Sequence, residues 1–248
     1  MHINTKRCEV HINNLMVEVT RRCNLQCGHC LRGNAQNRAI PPNYVHNFFK
    51  AIQGASIGTI TFTGGEPALV PSIISSILSS AKRLNIDIEN FYIATNGTIN
   101  SKEFTMVCLE WYLYCSDNEI SCVKVSNDEY HTQSMGYDYE IEFNDMYLSA
   151  LKFVVYEEYK EGTPFLRQGR WKYTHNGRDN KEYPFEIEED TLDGELYLNV
   201  FGQLINGCDW SYKEQPDHFI CDASKITCVD DLIVAVKERN EYIVACNV

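Results

Sequence analysis

"LMVEVTRRCNLQCGHCLRG", residues 15–33, joins a short apolar run to a loop that carries three cysteines within eight positions. Residues 15–20 read as a strand, because apolar and β-branched side chains dominate them. Cys23-x3-Cys27-x2-Cys30 follows at once. Thiolates are soft ligands that select zinc or iron–sulfur clusters. A structural zinc site and a cubane cluster each ordinarily take four protein ligands. Three cysteines leave one coordination position open, and an open position is the mark of a catalytic metal site. His29 is the nearest fourth ligand, but it adjoins Cys30 and would strain a tetrahedral site. The competing readings are a zinc knuckle and a set of buried thiols.

Downstream, strands and helices alternate. Pro41 and Pro42 close the loop, and Asn43 is placed to cap a helix over 44–53 with Val45, Phe48, Phe49 and Ile52 on one face. Strand 58–62 ends at Thr63-Gly64-Gly65-Glu66-Pro67, and a helix follows over 70–84. Strand 91–95 ends at Asn96-Gly97, a helix covers 102–114, and strands 120–126 and 152–156 come next. This order implies an α/β fold with a parallel sheet or barrel and helices outside. Right-handed crossovers put the strand C-termini on one side, where ligands bind. The cysteine loop, the Gly64-Gly65 turn, Asn96-Gly97 and residues 126–131 then share one rim, far apart as they are in sequence. Past 156 the alternation fails. Residues 157–190 read as an irregular lid or insert. Residues 195–200 and 204–205 flank Gly202 as a hairpin, and a last helix is expected over 230–238. The chain thus divides into 1–156, most of a barrel; 157–190, the insert; and 191–248, a C-terminal extension.

The 248 residues, 44% of them hydrophobic, suffice for a large core. A net charge of −12 makes a poor ligand for phosphate backbones and argues against nucleic acid. Lys6, Arg7, Arg21, Arg22, Arg32 and Arg38 nonetheless make the N-terminal region locally basic. No run of 18 apolar residues is present, so no membrane span is expected. The N-terminus lacks the apolar stretch of a signal peptide, so a cytoplasmic location is expected. Eleven cysteines, an odd number in a reducing compartment, suit metal binding or catalysis better than disulfides. Cys108, Cys115 and Cys122 read as small core residues.

Three motifs at three strand ends, Cys23-x3-Cys27-x2-Cys30, Gly64-Gly65-Glu66-Pro67 and Thr95-Asn96-Gly97, together resemble the radical S-adenosylmethionine (radical SAM) superfamily. The resemblance covers about residues 12–156. It implies a partial (β/α)6-type barrel in which Cys23, Cys27 and Cys30 hold three irons of a 4Fe–4S cluster. S-adenosylmethionine (SAM) would chelate the fourth iron. An electron from the cluster would cleave SAM to a 5′-deoxyadenosyl radical that abstracts hydrogen from a substrate. Gly64, Gly65, Glu66 and Pro67 would orient the methionine amino group, the glycines allowing close backbone approach. Asn96 and Ser126 would contact ribose or carboxylate. His29 stands where many members carry an aromatic ring near the adenine. A flavodoxin or ferredoxin would donate the electron. The plainer readings are an ordinary strand-to-helix turn for Gly64-Gly65 and a charge favoured by a helix N-terminus for Glu66.

Substrate-side residues are harder to read. Asp128 and His131 sit in the loop after the fourth strand, suited either to substrate and proton transfer or to turn capping. Lys152 starts a strand and faces either the cavity or solvent. The hairpin followed by Gly207-Cys208 resembles the start of a SPASM or twitch extension. Cys208, Cys221 and Cys228 would then hold an auxiliary cluster, or the tail is a truncated form with Cys208 structural or near substrate. The expected reaction is hydrogen abstraction from a peptide or small metabolite. The alternatives are a glycyl-radical activating enzyme, an RNA-modifying radical SAM enzyme, or a non-catalytic iron–sulfur or zinc module.

Overall fold

The computed structural model describes residues 10–99, 101–126, 131, 147–157, 165–172 and 177–246. Strands β1 (His11–Thr20), β2 (Ser56–Gly64), β3 (Asp87–Thr95), β4 (Cys122–Ser126) and β5 (Val154–Glu157) lie side by side, all parallel. A small parallel pair, β6 (Phe165–Leu166) and β7 (Gly177–Arg178), stands apart. β8 (Glu186–Glu188) pairs with β9 (Thr191–Leu198), and β9 runs parallel to β1 on its other edge. Antiparallel β10 (Gln203–Asn206) and β11 (Phe219–Asp222) complete the order β11-β10-β9-β1-β2-β3-β4-β5. The open parallel sheet is the partial barrel that the strand–helix alternation predicts. The C-terminal hairpin extends the same sheet, so β1 lies inside it rather than at its edge.

Helices α1 (Pro42–Ala51), α2 (Pro71–Leu84) and α3 (Lys102–Tyr114) pack one sheet face. In α2, Ile74, Ile77, Leu78 and Ala81 recur at helical spacing and are buried, and Asn85 ends the helix in the left-handed region at φ 51°. In α3, Ser101 accepts a hydrogen bond from the Phe104 N–H at 3.1 Å and caps the helix. For α1 the expected Asn43 cap is not used. The helix starts at Pro42, whose missing N–H costs nothing in a first turn, and Asn43 lies inside it. Trp111 and Phe62 meet at 4.9 Å in the core, with Cys108 and Cys115 buried beside them. Burying each such aromatic contributes roughly 1.5–3 kcal/mol relative to exposure.

α4 (Val229–Cys246) runs well past the expected 238. Its second half buries Ile243 and is also tied from outside. Asn240 clasps the backbone of Phe185 through two hydrogen bonds, and Arg239 pairs with Glu182 at 2.7 Å. Among the described residues, no helix is long and apolar enough to cross a membrane.

Candidate active site

The ends of β1 and β2 meet so closely that side chains have no room between them. A Cβ on Gly64, at φ 138°, would collide with the Thr20 carbonyl, and one on Gly65 with the Arg22 carbonyl. The Gly65 N–H donates to Thr20 O at 2.7 Å and the Glu66 N–H to Arg22 O at 2.8 Å. The glycine pair therefore fastens the second strand's turn to the start of the cysteine loop.

Glu66 is buried and acts as a post between loops. Its carboxylate accepts hydrogen bonds from Ala68 N at 2.9 Å, Thr95 Oγ1 at 2.6 Å and Asn96 N at 2.7 Å. Burial pushes this carboxyl above its usual range, and the three hydrogen bonds pull it partly back. Asn96, held by that bond, donates from Nδ2 to Asn24 Oδ1 at 3.1 Å, with the Cys23 sulfur 3.9 Å away. Its Oδ1 accepts from the Thr98 N–H and hydroxyl. Pro67 opens a single 3-10 turn, Pro67–Leu69, and is buried beneath the rim rather than lining it.

Cys23, Cys27 and Cys30 all open into one cavity of about 420 Å³. Gly64, Gly65, Glu66 and Asn96 line it as well, joined by Ser126 at the end of β4. The His29 ring stands there too, 5.0 Å edge-on from His131 and 4.9 Å from Phe165. The rim predicted from strand ends thus forms, built from four separate stretches of chain. No disulfide joins the described cysteines. The Leu25 N–H points at Cys23 Sγ, 3.4 Å away, and the Cys30 N–H bonds Cys27 O at 3.1 Å. Burial, with added repulsion from Glu66 and the other two cysteines, pushes the Cys23 thiol up to about 11. This thiol is protonated at neutral pH until a metal displaces the proton.

Other expected positions fall elsewhere. Asp128 lies outside the described residues. Lys152 is exposed before the N-terminal end of β5, the end away from the rim. Cys208, Cys221 and Cys228 are not brought together. Cys208 packs with Tyr197, Ile205 and Trp210 on the inner sheet face, Cys221 packs against the main core, and Cys228 is exposed. Burial pushes the Cys208 thiol strongly upward and the Cys221 thiol up to about 11. Among the described residues, no three His, Cys, Asp or Glu side chains converge as a single-ion site.

Several wall residues escape sequence reading. Arg21, read only as local charge, forms a buried pair with Glu18 at 3.0 Å, and Arg32 donates to Trp210 O at 2.7 Å. Alternation along β1 puts Met16 and Glu18 on the face opposite Val17 and Val19, a usable signal for Glu18. Asp209, Tyr212, Leu166 and Arg170 reach the cavity from residues without periodic pattern.

Residues 17–110 match the sequence profile of the radical SAM superfamily. Over 94 residues the chain is 30% identical to a GTP 3′,8-cyclase of Chlorobaculum tepidum, covering 37% of this chain and 28% of that protein. Over 93 residues it is 32% identical to a GTP 3′,8-cyclase of Clostridium acetobutylicum, covering 36% and 29%. The chain spans under a third of the length of these curated relatives. Among solved structures, native anSMEcpe with bound AdoMet and Cp18Cys peptide superposes with a TM-score of 0.56 at 12% identity, over 94% of this chain and 82% of that one. BtrN in an open conformation superposes with a TM-score of 0.53 at 14% identity, over 94% and 85%. Both establish likeness of fold. The likeness to the radical SAM superfamily thus covers residues 17–110. Proteins of this superfamily bind a 4Fe–4S cluster and SAM. The donor chemistry here fits: three thiols of one loop face one cavity, opposite a wall of side-chain-free backbone.

Proposed function

We propose that this protein is a radical SAM enzyme that abstracts hydrogen from an extended substrate, a peptide in preference to a small metabolite. The observation that carries the activity is the joint opening of Cys23, Cys27 and Cys30 into the cavity walled by Gly64, Gly65 and Asn96. Those cysteines would hold the cluster. When bound, cluster and SAM together supply reductive cleavage of the sulfonium and hydrogen abstraction. The chain's own residues bind and orient: Gly64 and Gly65 present backbone, Ser126 a hydroxyl, and His29 a flat ring. His131, and Asp128 with it, are assigned to substrate. Phe165 and Leu166 cover the cavity and keep water out. A second cavity of about 430 Å³ shares Leu166 and Asp209 with the first. Two adjoining chambers suit an extended chain better than one compact metabolite, and the fold neighbour with bound peptide points the same way. A flavodoxin or ferredoxin in the cytoplasm is the reductant in this reading.

The test is anaerobic reconstitution of wild type and the Cys23→Ala/Cys27→Ala/Cys30→Ala variant, with iron, sulfide and 5′-deoxyadenosine measured after SAM and dithionite. Wild type should hold about four irons and form 5′-deoxyadenosine, and the variant should do neither. Zinc in place of iron, with no 5′-deoxyadenosine, would overturn the proposal.

A further inference from the structure

Residues 165–172 touch the cysteine loop mainly through its backbone: beyond the Phe165–His29 ring contact, their hydrogen bonds to the loop go to its carbonyls. The Arg170 N–H donates to Cys30 O at 3.0 Å. Its guanidinium donates from Nε to Cys27 O at 2.7 Å and from Nη1 to Gly33 O at 2.8 Å. One residue thus ties down three carbonyls across seven positions of the loop. A planar fork suits this, because its donors stand at fixed separations. Gly169, at φ 55°, makes the approach possible, since a Cβ there would collide with the carbonyls of Cys30 and Leu31.

The holding segment is itself anchored. The buried Gln168 accepts from the Ser211 N–H at 2.8 Å through Oε1, and Trp171 meets Phe165 at 5.3 Å. The C-terminal stretch closes the triangle, as Tyr212 N–H donates to Arg32 O at 3.2 Å. None of these contacts uses a cysteine sulfur.

We infer that residues 165–172 form a clasp that holds the cysteine loop in its metal-binding shape before any metal arrives, with Arg170 as the positioning residue. The cluster that the loop would then hold rests on the function proposed above; the clasp itself is a property of the metal-free chain. Its guanidinium also brings a positive charge to the loop that presents the three thiols.

Two measurements on Arg170→Gln and Arg170→Lys test this. In metal-free, reduced protein, amide exchange over residues 23–33 should quicken roughly tenfold or more in Arg170→Gln, with exchange in α2 unchanged as the folding control. Arg170→Lys, a single-point donor, should remain fast, because it cannot span Cys27 O and Gly33 O together. In reconstituted protein, Arg170→Gln should lose its cluster to a chelator several-fold faster and show a more negative reduction potential, and Arg170→Lys should recover the potential but not the retention. Unchanged loop exchange in Arg170→Gln overturns the clasp. Wild type that holds no iron, with loop exchange still quickened in the variant, leaves the clasp standing and removes the cluster reading instead.

Discussion

Glu66→Gln keeps the shape of the side chain and exchanges one acceptor oxygen for a donor. The carboxylate is buried and meets only donors: Ala68 N and Thr95 Oγ1 on Oε1, and Asn96 N on Oε2. The amide nitrogen is cheapest at the Oε2 position, where it opposes one N–H rather than two partners. That placement loses a hydrogen bond to a charged group and leaves the buried Asn96 N–H unpaired, together about 2–4 kcal/mol. No cavity is created, so the loss isolates polarity. Urea unfolding of the metal-free, reduced protein, followed by circular dichroism, should show a midpoint lower by about 1 M at an m-value of ~3 kcal/mol/M, with the m-value unchanged. Thr95→Ala removes the hydroxyl that bonds the same carboxylate, so the double variant should fall short of additivity by at least ~0.5 kcal/mol. A loss below about 0.5 kcal/mol for Glu66→Gln, or strict additivity with Thr95→Ala, would refute the post role drawn here for Glu66.

Arg21→Met should cost about 3–5 kcal/mol, because it strips the buried Glu18 carboxylate of its paired charge and leaves the Val200 N–H bonded to it; chemical unfolding reads it, and a loss under 1 kcal/mol would count against the pairing. Glu182 lies between His218 and Arg239 at 2.6 and 2.7 Å. Burial there opposes ionisation, but the hydrogen bonds and charges of His218 and Arg239 outweigh it and hold the carboxyl below its usual value. A carboxyl depressed by folding contributes stability above its unfolded value, and that stability is lost as pH falls through the folded value. Wild type should therefore melt above Glu182→Gln at neutral pH, with the gap closing as pH drops below the ordinary carboxylate range; a gap that widens in acid would contradict the pairing.

The strand–helix order from residue 11 to 126 is legible in the sequence because burial periodicity is local. Ile74, Ile77, Leu78 and Ala81 mark the inner face of α2 with no reference to anything outside it. The cysteine spacing and the two glycines are legible for a similar reason: their chemistry depends on residue type and on a turn a few residues long. Strand ends then place the cysteine loop, Gly64, Asn96 and Ser126 on one rim by topology alone. Three things required the tertiary structure. The hairpin at 191–206 joins the sheet at β1, where His11 pairs with Thr191 and Val17 with Leu198 from opposite ends of the chain. The second half of α4 is helical because Asn240 and Arg239 find partners at Phe185 and Glu182. Glu66 binds Thr95 and Asn96, and Arg170 binds Cys27, Cys30 and Gly33. Hydrogen-bond partnership has no period along a chain. It is set by which loops the packed core brings within hydrogen-bonding distance, and that is decided only when the whole sheet has assembled.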